Sequence, residues 1–304
     1  MTDRIGQCGY AIKIEGWDTE TLLIDVYYDG TLYEGGLAPL RWLLKIQNRA
    51  FANYEDRLGK HFVYDVFEPL WQWWMLSNGV SFLHSAAISV DGQGVVLTGW
   101  GGSGKTSATS SLIRQSGDVK FLSDDLTFVT DEGELYPYYK SSVIYAHNTA
   151  GEGVPEDIIL DGFGDRLQWY LRKRQYGDKG VRRRIPPKKL FEEKVASQSP
   201  KDLWTAVYLL RENRDQLSHK PISAEELARR STAVILDELD WLVEYSAAAC
   251  SAGSTAISPQ DVVENTEGVY NDCFKDVETI LVQIPMHTGA NELADYIESE
   301  ILDI

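Results

Sequence analysis

Gly99-Trp100-Gly101-Gly102-Ser103-Gly104-Lys105-Thr106 reads G-x-x-x-x-G-K-T. That spacing is the phosphate-cradling P-loop. Before it stands Val95-Val96-Leu97-Thr98, an apolar β-branched run of the kind that forms a buried strand. After it, Ser107 to Ile113 continues as helix-compatible sequence. Strand, glycine loop and helix in that order turn bare backbone N–H groups toward an anion, and the helix N-terminus adds partial positive charge. On this pattern Gly99, Gly101, Gly102, Ser103, Gly104, Lys105, Thr106 and Ser107 line a nucleotide phosphate site. Lys105 reaches the β- and γ-phosphates, and the Thr106 hydroxyl holds Mg²⁺. The alternative is a glycine-rich turn followed by a chance Lys-Thr pair, and it leaves the flanking strand and helix unexplained.

The 304 residues suffice for one large domain or for a domain with an appendage. With 43% apolar residues the chain can build a core, and no run of eighteen apolar residues is present to span a membrane. Met1 to Gln7 lacks the apolar centre of a signal peptide. Cys8, Cys250 and Cys273 are far apart and odd in number, which fits neither a disulfide framework nor a metal site. The expectation is a cytoplasmic protein. A net charge of −17 disfavours nucleic acid as a partner. The charge is uneven, however: ten Lys and Arg fall between Arg172 and Lys194, against Asp178, Glu192 and Glu193. This segment reads either as a solvated loop or as an anion site, with Arg182, Arg183 and Arg184 the candidates for contact with a phosphoryl group or an anionic substrate.

Residues 1–60 read as a small β-rich region, with strands at Tyr10–Ile14 and Leu22–Tyr28, a turn at Asp29-Gly30, loops at Gly35-Gly36 and Pro39, and a short helix over Leu40–Phe51. Residues 61–304 read as the main domain. Phe62–Leu76 has aromatic and apolar residues at helical spacing, including Trp71, Trp73 and Trp74, which fits core or a subunit interface better than a base-stacking platform. Ser81–Val90 reads as one strand carrying His84. Short strands follow at Lys120–Leu122, Leu126–Val129 and within Tyr136–Tyr145. His147–Pro187 reads as irregular apart from a helix near Arg166–Arg174. Strands are expected at Leu203–Leu210 and Thr279–Ile284. A helix opens at the Ser223/Glu226 capping box and runs to about Ala249, and another covers Ala290–Ile301.

Asp124 and Asp125 end the short strand about twenty residues past Lys105. A P-loop protein needs a carboxylate there to organise Mg²⁺. Two adjacent aspartates allow a division of labour, with Asp124 at the metal and Asp125 accepting a proton from an attacking hydroxyl. The bland alternative is one metal-binding acid beside an ordinary turn aspartate.

The order His84-Ser85-Ala86-Ala87-Ile88, Asp91 to Gly99, the P-loop, and Leu122-Ser123-Asp124-Asp125 resembles the HPr kinase/phosphorylase family and its serine-kinase relatives, within the P-loop superfamily that includes ATP-dependent phosphoenolpyruvate carboxykinase. The resemblance is carried by residues 80–130 and extends more weakly through Pro186-Pro187-Lys188-Lys189-Leu190-Phe191. It implies an α/β fold with a mixed central sheet flanked by helices, ATP and Mg²⁺ as cofactors, and transfer of the γ-phosphoryl group to an alcohol. It implies Asp125 as base, Asp124 with Thr106 at the metal, and His84 as the histidine that contacts the first aspartate. The expected acceptor is a serine hydroxyl of a peptide or protein; a small metabolite such as free serine is the alternative. A nucleotide-binding regulatory protein that transfers nothing is the reading from another class. The family's capsular motif is not found, and residues 1–60 do not resemble its regulatory domain. A homo-oligomer is compatible with the Trp71–Trp74 stripe.

Overall fold

A computed structural model describes residues 2–5, 8–15, 21, 23–28, 59, 61–149, 154–251, 253 and 258–304. The expected turn at Asp29-Gly30, the loops at Gly35-Gly36 and Pro39, and the helix over Leu40–Phe51 lie outside these residues. In chain order the strands are β1 (Thr2–Ile5), β2 (Cys8–Glu15), β3 (Leu23–Tyr28), β4 (Val80–Leu83), β5 (Ser85–Val90), β6 (Gln93–Thr98), β7 (Val119–Ser123), β8 (Thr127–Thr130), β9 (Glu134–Tyr136), β10 (Ser142–Tyr145), β11 (Arg182–Ile185), β12 (Lys201–Glu212), β13 (Ser218–Pro221) and β14 (Glu278–Pro285). The α-helices are α1 (Glu68–Leu76), α2 (Lys105–Gln115), α3 (Glu156–Ile159), α4 (Gly162–Tyr176), α5 (Pro187–Phe191), α6 (Ala224–Glu238), α7 (Asp240–Ser251), α8 (Pro259–Phe274) and α9 (Ala290–Ile297). Among the described residues no helix is long and apolar enough to cross a membrane.

The chain divides into two compact units: Met1–Asn78 with Leu236–Asn265, and Gly79–Ile235 with Thr266–Ile304. In the first, β1, β2 and β3 form an antiparallel three-stranded sheet. The Phe62–Leu76 stretch is helical, as its spacing predicts, beginning as a π-helical turn over Phe62–Phe67 and continuing as α1. Leu70, Trp73, Met75 and Leu76 are buried, so the apolar stripe serves as core.

The second unit is α/β with a mixed central sheet. β12 pairs in parallel with β6 on one side and β14 on the other. β5 runs antiparallel between β6 and β7, so β6 and β7 point the same way with α2 connecting them. The C-terminal ends of β6, β7, β12 and β14 therefore share one edge of the sheet, the edge at which parallel α/β sheets present ligand sites. β5 runs the other way and brings its N-terminus to that same edge, where Ser85 pairs with Thr98. The first residues of β12 also pair with β9, extending the sheet through β8 to β4. Buried branched residues line the interior strands, including Ile88, Val95, Leu97, Val207, Leu209 and Val282. α2 contributes Ala108, Leu112 and Ile113 to the same cluster, and α9 contributes Leu293, Ala294 and Ile297.

Three expectations are corrected. Ser81–Val90 is two strands broken at His84, because β4 pairs with β8 while β5 pairs with β6 and β7. The helix from Ser223 breaks at Leu239 into α6 and α7, although Ser223 caps it as expected, its Oγ accepting the Glu226 N–H at 3.2 Å. His147–Pro187 holds the expected helix, within α4, but its described residues carry more structure than expected: β11 pairs with β10, and with α3 and α4 they enclose a satellite core of Ile144, Ala146, Val154, Ile159, Leu160, Trp169, Val181 and Ile185. Its centre is Trp169, fully buried, with its indole N–H donating to Glu156 at 3.2 Å. β13 and α8 were not anticipated; β13 is a short, largely exposed run without apolar alternation.

Truncating Trp169 leaves a large cavity, so Trp169→Ala is expected to cost about 3–5 kcal/mol. Hydrogen exchange should show protection lost across 142–185 while β6 and β12 stay protected.

Candidate active site

The P-loop follows β6 as the sequence predicts. Gly99 has φ 138° and runs close to β12, such that a Cβ at this position would stand 2.5 Å from the Leu209 carbonyl oxygen. Only glycine fits that path. The loop then closes a tight turn through the Ser103 N–H on the Trp100 carbonyl at 3.1 Å, and Gly104, at φ 109°, opens α2. The first-turn N–H groups of α2 thus face the shared sheet edge.

Arg211, near the end of β12, fixes the loop from beneath. Its Nε donates to the Ser103 carbonyl at 3.2 Å, and its other nitrogens donate to the carbonyls of Pro285, Met286 and Thr288 at 3.1–3.3 Å. One guanidinium ties the P-loop to the chain leaving β14. The sequence reading passed over Arg211, although a charge at the end of the apolar run Leu203–Leu210 was a legible signal.

Lys105 is buried and its ammonium donates to the carbonyls of Gly99 at 2.5 Å and Trp100 at 3.1 Å. Thr106 Oγ1 donates to Asp124 Oδ1 at 2.7 Å. Asp124 is buried, and burial pushes its carboxyl up from the usual range, while the bond from Thr106 pulls it down. Ser107 Oγ accepts a 3.3 Å bond from Asn148 in the turn after β10. The turn after β10 thus reaches the start of α2 through Asn148.

Asp125 takes a left-handed backbone conformation, φ 77°, unusual for a residue other than glycine and common at functional sites. Its half-exposed carboxylate lies 3.0 Å from Lys140 Nζ through Oδ2 and 4.0 Å from His84 Nδ1 through Oδ1. Lys140 arises from the coil between β9 and β10, where no motif marks it in the sequence. His84 sits at the break between β4 and β5; its carbonyl accepts from Thr98 Oγ1 at 3.0 Å. Beneath it the buried hydroxyls of Ser85, Thr127 and Ser123 form a chain that links the starts of β5 and β8 to the end of β7. Burial, reinforced by the Lys105 ammonium, holds the His84 imidazole down at about 4, with Asp125 pulling the other way.

The structure brings His84, Lys105, Thr106, Ser107, Asp124 and Asp125 to one edge. Gly101 and Gly102 stand exposed at the loop tip, and Ser103 is buried. Arg182, Arg183 and Arg184 lie on β11, one strand out from β10. Arg183 is engaged by Asp165, and Arg182 donates to the Tyr145 hydroxyl at 3.2 Å.

The donor set fits a Mg²⁺-nucleotide. Ser103 Oγ is buried within the loop with no hydrogen-bond partner among the described residues, which leaves a polar atom in the cradle. Thr106 and Asp124 supply hard oxygens of the type Mg²⁺ prefers. Comparison with models of known protein families returns no match, and comparison with curated proteins returns none.

Gly99→Ala should lower the unfolding free energy by more than 2 kcal/mol, roughly, because the clash is with backbone and φ is positive; urea denaturation measures it. His84 gives a pH signature. Its folded value near 4 lies below the ordinary 6.5, so the unfolded chain binds more protons between those values. Stability should therefore fall as pH drops from 6.5 toward 4, by up to about 3 kcal/mol, and His84→Gln should lack that share of the acid loss.

Proposed function

We propose that the chain is an ATP-dependent kinase that transfers the γ-phosphoryl group to an alcohol, with a serine hydroxyl of a peptide or protein as the acceptor. One observation carries the reading. The P-loop threonine is hydrogen-bonded to a buried aspartate, and the next residue in the chain is a second aspartate that faces solvent and Lys140 instead. A nucleotide-binding module needs the first carboxylate; the second is what a transferase adds. The resemblance of residues 80–130 to HPr-kinase-like serine kinases points the same way.

In this reading the acceptor oxygen attacks the γ-phosphorus, the bond from the γ-phosphorus to the β-bridging oxygen breaks, and ADP leaves. The acceptor proton passes to Asp125 Oδ. The N–H groups of the loop and the Lys105 ammonium meet the phosphate oxygens; Lys105 then exchanges its bonds to the Gly99 and Trp100 carbonyls for phosphate. Mg²⁺ held by Thr106 and Asp124 would supply further neutralisation of phosphate charge. Phosphoryl transfer is mostly positioning and electrostatics, so these groups suffice. His84, neutral over the physiological range, acts as an uncharged neighbour of Asp125 and not as a cation.

The test is incubation with γ-labelled ATP, a cell extract and a serine-containing peptide library, followed by separation of protein from small molecules. Label on protein or peptide is expected. Label only on a small molecule would move the acceptor to a metabolite, and hydrolysis without transfer would favour a nucleotide switch. Lys105→Ala and Asp125→Asn should each lower transfer by about 10²–10³-fold. Unchanged transfer in Asp125→Asn would remove the base from the scheme.

A further inference from the structure

Lys140 has no part in the scheme above, yet its side chain is only 9% exposed and its ammonium lies at the site, 3.0 Å from Asp125. The segment that carries it is anchored on both sides: Tyr139 donates to the Ala196 carbonyl at 2.6 Å, and Ser142 opens β10, which pairs with β11. Lys140 is therefore held against the site, with a long flexible stem to move its charge.

The lysine of the P-loop is differently disposed. Lys105 is bonded to loop carbonyls at the root of the cradle, whereas Lys140 stands at the far side, against the proposed base. A nucleoside triphosphate seated on the loop brings its terminal phosphoryl group toward the aspartate pair, beside Lys140. We infer that Lys140 is a second phosphoryl-binding cation, whose ammonium passes from Asp125 to a γ-phosphoryl oxygen when ATP binds. The exchange offsets negative charge on the transferring group and leaves the Asp125 carboxylate open to the acceptor hydroxyl.

This inference rests on the kinase reading, and the test separates the two. The full chain is titrated calorimetrically with Mg²⁺-ADP and with Mg²⁺-AMP-PNP, a non-hydrolysable triphosphate. Lys140→Met should weaken AMP-PNP about tenfold and ADP less than about twofold, as expected for loss of one charge-assisted bond to the γ-phosphoryl group. Lys140→Arg should retain most of the selectivity. Circular dichroism checks folding, and Lys140→Gln replaces the methionine variant if that one does not fold. Equal loss for both nucleotides, or loss for neither, overturns the inference while the kinase reading stands. If the unaltered chain binds neither nucleotide, or Lys105→Ala binds both as tightly, the kinase reading falls and this inference with it.

Discussion

The backbone of Gly99 passes so close to the Leu209 carbonyl that no side chain fits between them. The rest of the site depends on that approach. It seats the P-loop directly on β12, and Arg211, two residues beyond Leu209, then reaches the Ser103 carbonyl. Because the same guanidinium also holds the carbonyls of 285–288, three parallel strands are coupled at their C-terminal ends. Apolar packing of α2 and α9 on the sheet fixes the other end of the loop. A conformational constraint at one glycine thereby becomes a constraint on where α2 begins and which way its first N–H groups point.

The two aspartates show how little sequence distance is needed to separate two environments. Asp124 follows a buried strand, is itself buried, and accepts the Thr106 hydroxyl. Asp125, one residue on, is turned by its left-handed backbone toward Lys140 and the edge of His84. Extended backbone would have set the two side chains on opposite faces of the sheet. The twist keeps both at one edge with different partners, so neighbouring groups of the same chemistry can serve different ends.

The parts legible in the sequence are those governed by local rules. The P-loop, the strand before it and the helix after it follow from glycine placement, β-branched residues and helix-start chemistry. β12 and β14 appear as apolar runs of strand length, and Ser223 is read correctly as a cap. The parts that escaped are set by pairing or by tertiary context. Nothing local says that β4 and β5 take different neighbours, so the break at His84 is invisible until the partners are known. Basic residues hid the fold of 142–191, since Arg182–Arg184 looks like a solvated run yet forms β11 through its register with β10. Lys140 carries no motif at all; its place is fixed by where β9 ends and β10 begins. Asp124 and Asp125 were legible as a pair, but their different surroundings were not.

Leu203 N–H bonds to the Gly133 carbonyl at 2.8 Å, and Lys201 and Asp202 pair with Leu135 and Glu134. The chain thus leaves the sheet at β9 and returns beside its own point of departure. The described residues between Pro137 and Pro200 form an excursion closed at its stem, with a small core of their own around Trp169. The excursion brings Lys140 and Asn148 to the site, and it returns to the sheet before its end, where Val195 bridges Phe121 of β7 and Phe191 packs into the main core. It is therefore tied to the frame twice, at the stem and at the β7 margin, and a change in its length is absorbed only between those two ties.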